Sequence, residues 1–153
     1  MGIMSAKTFA FATGCKLISV DTFLAVAWQA PPEAFPLDVV ADAQRDLLYV
    51  QSFQMTPQGP NARSPLEIKA ASTWERERLS ESWVSGPGLG KLAERNSELA
   101  RAVPVACWHP LPESLVTIGW SKYQAAQFDD PLALEPLYLR PSAAEEKQAE
   151  SPP

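Results

Sequence analysis

The sequence predicts a mixed α/β fold with an antiparallel hairpin set inside it. Three observations carry this. Helix, strand and helix patterns follow one another within the first thirty or so residues. Two strand-type runs, 37–43 and 47–55, are joined by the short polar turn Gln44-Arg45-Asp46. A glycine-rich turn, Gly86-Pro87-Gly88-Leu89-Gly90, lies between a strand-like pair and a helical run.

The elements follow in order. Ile3, Ala6, Lys7, Ala10 and Phe11 fall at helical spacing, which predicts a helix over 3–13 with Gly14 as its stop. No Ser, Thr, Asp or Asn precedes Ile3 closely enough to cap it, so the start reads as cut off from something upstream. Residues 16–20 form a short strand candidate. Asp21 or Thr22 then caps a helix running through Phe23, Ala27 and Trp28, which Pro31 and Pro32 terminate. After the hairpin, Pro57, Gln58, Gly59, Pro60 and Asn61 read as a loop, and 66–70 as a third strand. A helix over 72–81 opens at Ser72 or Thr73, with Glu75 and Glu77 in its first turns.

Trp83 and Val84 lead into the glycine turn, and a helix is expected over 91–101. Residues 103–107 are a strand candidate broken by Pro110 and Pro112. Leu115, Ile118 and Ala125 or Ala126 mark the apolar face of a long helix over 114–128. Pro131 and Pro136 bracket a loop, and 137–139 is a last short strand. Residues 141–153 are rich in Ala, Glu and Pro without apolar periodicity, so disorder is expected there.

Composition bounds the function classes. The 153 residues are one domain's worth, with 46% hydrophobic and 20% charged residues, the ordinary globular range. No apolar run approaches the roughly 18 residues needed to span a bilayer. The net charge of −5 and the lack of a Lys/Arg cluster disfavour direct nucleic-acid binding. Cys15 and Cys107 lie far apart, without neighbouring ligand residues, and read as reduced, packed thiols. With no secretory signal in the first residues, a cytoplasmic location is expected. The 15 prolines, about twice the usual ~5% share, cut the chain into short elements.

Candidate chemistry is sparse. His109 is the one histidine, so a Ser–His–Asp or Cys–His arrangement would have to use it; Cys107 lies two residues away, on the same side if the segment is a strand. Gly86 and Gly88 precede a helix start, where backbone N–H groups can hold phosphate, although no Gly-Lys-Ser/Thr follows. A nucleotide- or phosphate-binding α/β enzyme using this turn is therefore the alternative reading. Asp38, Asp42 and Asp46 surround the hairpin, where turn chemistry explains them, with Arg45 forming a local ion pair. Of the five tryptophans, Trp28 and Trp120 fall on helices and are candidates for exposed anchors.

Several segments together resemble one family. Ser5-Ala6-Lys7-Thr8-Phe9-Ala10, then Gly14, then Leu17-Ile18-Ser19-Val20-Asp21-Thr22-Phe23-Leu24-Ala25, resemble the Ala-Lys helix and the following "pvvgvstlealA"-like strand and helix of the bacterial TsaB proteins. Val40-Ala41-Asp42-Ala43-Gln44-Arg45-Asp46-Leu47-Leu48-Tyr49 is similar to that family's "iDArrgevY" hairpin. Trp83-Val84-Ser85-Gly86-Pro87-Gly88-Leu89 is similar to its inner glycine turn, and Leu134-Glu135-Pro136-Leu137-Tyr138-Leu139-Arg140 to its closing "P-x-Y-L-R" signature. The family's "iDTS"-like first strand and its "GPGSFTGLR" loop are absent, so the chain is expected to correspond to roughly the C-terminal two-thirds of the family fold.

The resemblance implies the C-terminal portion of an actin-like (ASKHA, ribonuclease H-like) fold, with a mixed sheet and flanking helices. Residues 1–14 would be a remnant helix of the N-terminal lobe, 15–140 a Gcp-like α/β lobe and 141–153 a tail. It implies a non-catalytic subunit in the formation of N6-threonylcarbamoyladenosine at tRNA position 37. The catalytic partner would be TsaD and the ATPase TsaE, with tRNA contacted only indirectly. The chain would hold no cofactor of its own, ATP or ADP entering through the complex. Ile3, Lys7 and Phe11 on the first helix would be what remains of the partner surface. Apolar groups such as Phe9 and Phe11, left uncovered, are expected to drive self-association.

Overall fold

The computed structural model describes residues 2–95, 101–137 and 139. They fall into two compact units. One runs to Leu17 and resumes at Phe128; the other is Ile18–Gln127.

The larger unit is built on the hairpin. Strand β1 (Leu37–Asp42) pairs antiparallel with β2 (Leu47–Thr56), in a register that sets Leu37 opposite Phe53 and Asp42 opposite Leu48. Alternation sends Leu37, Val39 and Phe53 to one face, and Val40, Leu48 and Val50 to the other. Both faces are covered, which is why β1 reads as a nearly continuous apolar run. The outer edge of β2 is shared by β3 (Gly59–Ala62) and β4 (Glu67–Ala70), both antiparallel to it. On the other side of β1, β5 (Trp83–Ser85) lies parallel, giving the order β3-β2-β1-β5.

The expected 57–61 loop therefore contains most of a strand. Pro60 sits opposite Met55 in β3. An edge strand tolerates proline, because its missing N–H removes no bond needed by a second neighbour.

Helices α1 (Gly2–Thr13) and α2 (Thr22–Trp28) match expectation. Gly14 stops α1 with φ +69°, its N–H donating to the Ala10 carbonyl. Asp21 caps α2, accepting from the Leu24 N–H at 2.8 Å. Between them, 16–20 makes only a single bridge, Leu17 to Asp129 within the smaller unit, instead of a strand. Helix α2 packs on the Leu37/Val39/Phe53 face, where Phe23, Val26 and Ala27 join Ala30, Ala34 and Val103. Trp28 lies against Gly59, where a Cβ would come within 2.6 Å of the indole, so glycine is what lets the ring close over β3.

Helices α3 (Ala71–Glu77) and α4 (Leu89–Arg95) contribute Ala71, Trp74, Leu89 and Leu92 to the opposite face. Helix α3 starts one residue before the expected Ser72 or Thr73 and has no side-chain cap. It ends four residues earlier than expected, because Arg78 turns extended. Of the expected helix over 91–101, residues 96–100 lie outside the described residues, and Arg101 is in a turn.

Residues 103–107 are not a strand. Ala102 bridges Val84 in parallel, and Val105–Cys107 then coils into a 3-10 turn. The last helix, α5 (Pro112–Gln124), is shorter than expected and ends before Ala126, which has φ +53°. It buries Ser114 and Ile118, while Leu115, Ala125 and Ala126 face outward. Its packing on α2 runs through the Gln29 amide, so a serine takes the inner position that the apolar count gave to leucine. Trp120 is exposed and stacks on Tyr123.

In the smaller unit, Asp130 closes a turn by accepting from the Leu132 N–H at its side chain and from the Ala133 and Leu134 N–H groups at its carbonyl. The expected strand over 137–139 is not formed at Leu137 or Leu139, and Tyr138 lies outside the described residues. The 141–153 segment lies outside them too.

Candidate functional site

The glycine turn is pressed onto β1. Gly86 has φ +111°, and a Cβ there would lie 2.2 Å from the Val40 carbonyl oxygen. The Gly88 N–H donates to that same oxygen at 3.0 Å, and a Cβ on Gly88 would sit 3.1 Å from the Ala41 Cα. Both glycines are buried. Close backbone approach thus requires glycine here. One of the N–H groups that a phosphate would use is already committed to the sheet.

The three expected partner residues lie on α1. Ile3 and Lys7 are half-buried, and Lys7 donates its Nζ proton to the Leu134 carbonyl at 3.0 Å. Phe11 is 85% exposed. It borders an apolar groove of about 450 Å³ with Lys7, Thr8, Pro131 and Leu132. Met4, Phe9, Leu132 and Leu137 are also well exposed, and Ala10 is the only buried residue of α1. These side chains leave apolar surface uncovered on this short stretch.

The acids near the hairpin separate in role. Asp42 accepts from the Gln44 N–H at 3.0 Å, a side-chain turn, and pairs with Lys91 of α4. Asp46 lies in the same turn, its carbonyl accepting from the Ala71 N–H. Asp38 does not belong to the turn. It is buried within β1, where Ser52 and Trp74 donate to it. Turn composition gave no sign of this; the signal was an acid flanked on both sides by buried strand positions.

The strand that would set Cys107 and His109 on one side is replaced by a 3-10 turn over Val105–Cys107. His109 is exposed, and the Cys107 carbonyl accepts from Ser85 Oγ and from the Gln29 amide. Among the described residues, no group of three or more His, Cys, Asp or Glu side chains is placed to hold a metal ion. Likewise, no helix among them is long and apolar enough to cross a membrane.

No protein-family profile matches the chain, and neither does any curated protein. Solved structures do. A Pseudomonas aeruginosa structure described as an uncharacterized protein with similarity to the peptidase YeaZ superposes with a TM-score of 0.71 at 19% identity, covering 91% of this chain and 66% of its own. The structure of YeaZ from Pseudomonas aeruginosa gives 0.68 at 19% identity, covering 90% and 66%. The chain thus spans just under two-thirds of the length of these structures, and it shares their fold, a mixed sheet with flanking helices.

Proposed function

We propose that the chain is a non-catalytic subunit in the formation of N6-threonylcarbamoyladenosine at tRNA position 37, acting as dimerisation partner of the catalytic subunit TsaD. The observation that carries this reading is the likeness to YeaZ over nine-tenths of the chain. YeaZ is a TsaB protein, and the TsaB-like segments occur here in the family's order. The uncovered apolar side chains of α1, Phe11 the most exposed of them, support a partner-binding role. In this reading the chain works in the cytoplasm. TsaE and its nucleotide join through the complex, and tRNA is touched only by the assembly.

The test mixes the purified chain with TsaD from the same cells and measures mass by light scattering during size exclusion. A heterodimer is expected, and Phe11→Asp weakens it roughly tenfold or more, as loss of a central aromatic anchor does. Without TsaD, the wild-type chain self-associates through the same face and the Phe11→Asp variant does not. Two separate peaks at micromolar concentrations of both proteins overturn the reading.

A further inference from the structure

A polar recess of about 320 Å³ opens on the α3 side of the sheet in the larger unit. Its size is at the low end of the roughly 300–1,000 Å³ of small-molecule sites. Asp38 is its innermost charge, 6% exposed in β1. Oδ1 accepts from Ser52 Oγ at 2.6 Å and Oδ2 from Trp74 Nε1 at 3.2 Å. Both donors are neutral, and a carboxylate can accept about four hydrogen bonds, so acceptor capacity is left over.

Arg78 lines the same recess, its guanidinium carbon 5.6 Å from the centre of the Trp74 ring. Its Nη1 is buried and has no hydrogen-bond partner. Leaving a charged donor in that state costs more than leaving a neutral one. Lys69 is already held by Glu67 at 3.3 Å and Glu77 at 3.4 Å. Arg63, also lining the recess, is exposed. The recess therefore presents one guanidinium with an unpartnered Nη1, a second arginine and a buried carboxylate, with the Trp74 indole against both the first and the last.

We propose that this recess binds a small zwitterion with the chemistry of a free amino acid. The ligand's carboxylate accepts from Arg78 and Arg63, and its ammonium donates to Asp38. An anion alone would bring a second negative charge toward buried Asp38, and a cation alone would leave the Arg78 Nη1 unanswered. Only a molecule carrying both groups satisfies both walls. The inference stands apart from the proposed partnership with TsaD, because no residue of the recess lies on α1.

The test titrates the full chain with glycine, L-serine and L-leucine, and separately with acetate, methylammonium, inorganic phosphate and ATP. Binding is read by calorimetry and by the NMR resonance of the Trp74 indole N–H. At least one amino acid is expected to bind saturably at millimolar concentration and shift that resonance, while acetate and methylammonium bind at least tenfold more weakly. Arg78→Gln weakens amino-acid binding roughly tenfold or more, as loss of one partner of a desolvated charge pair does. Arg63→Gln, at an exposed position, weakens it less and leaves the circular dichroism unchanged, which keeps the test valid if Arg78→Gln folds poorly. No amino acid binding, or phosphate, ATP or acetate binding as tightly as the amino acids, overturns the proposal.

Discussion

The Gln29 side-chain amide donates to the Cys107 carbonyl at 2.9 Å, seventy-eight residues along the chain. The same amide also reaches the His109 carbonyl, while its oxygen accepts from the Leu111 N–H at 3.0 Å and from Ser114 Oγ at 3.3 Å. One side chain thus answers backbone groups across 107–111, a segment with no ladder of its own. Gln29→Ala is expected to destabilise the protein by about 1–3 kcal/mol, the cost of leaving such groups unanswered. Urea denaturation followed by tryptophan fluorescence measures it, and an unchanged midpoint would show that water replaces the amide.

Glycines of the turn differ in what surrounds them. A Cβ at Gly86 meets the Val40 carbonyl at 2.2 Å with φ +111°, whereas a Cβ at Gly90 meets nothing within 4 Å. Gly86→Ala is expected to leave the protein largely unfolded or aggregated on expression. Gly90→Ala, on the exposed side of α4, is expected to stabilise by about 0.5–1 kcal/mol through helix propensity. Paired thermal melts distinguish the two. Equal melting temperatures for both variants would contradict the close contact with β1.

Three successive residues of the hairpin turn, Gln44, Arg45 and Asp46, have φ of 63°, 49° and 63°. Each non-glycine residue in this region costs about 1–2 kcal/mol. Gln44 contributes backbone groups to the turn, its N–H bonded to Asp42 and its carbonyl to the Leu47 N–H. Gln44→Gly keeps both bonds and removes the strain. After the entropy of the added glycine is subtracted, a gain of about 0.5–1 kcal/mol remains. Chemical denaturation measures it; a loss would place the turn in another conformation.

Lys69 has its pKa raised above 10.5, mainly by the hydrogen bond to Glu67, with Glu77 adding to it and desolvation opposing. A group whose folded pKa exceeds its unfolded value contributes stability that is complete below the unfolded value and is lost as pH rises through the folded one. Stability is therefore expected to fall slightly above pH 10.5. The drop should be under about 1 kcal/mol, because the cluster is partly exposed. Urea midpoints from pH 8 upward measure it. Lys69→Gln should flatten that alkaline limb, and an identical limb in the variant would assign the drop to other groups.

Local chemistry made much of this fold legible in the sequence. Period-two alternation around a polar turn located the hairpin, Asp21 and Gly14 marked helix ends, and the glycines of 86–90 marked the turn between a strand and a helix. What failed did so where distant segments decide. Strand β3 was hidden because Gly59 and Pro60 are loop residues unless an edge position is waiting for them beside Met55. Val105 reads as strand, yet the Gln29 amide and Ser85 hydroxyl hold the Cys107 carbonyl where a 3-10 turn puts it. Asp38, Ser52 and Trp74 meet only through the register of β1 with β2 and the path of α3, so the recess had no sequence signature.

The outer side of β5 is not left open. Val84 donates its N–H to the Arg101 carbonyl at 2.8 Å, and its own carbonyl accepts from the Val103 N–H at 3.0 Å. That short splice acts as a stopper against strand-by-strand growth, since a bare edge invites another copy to join. Pulling residues 101–103 away would take Val103 out of the core and, in the same movement, uncover a template for polymerisation.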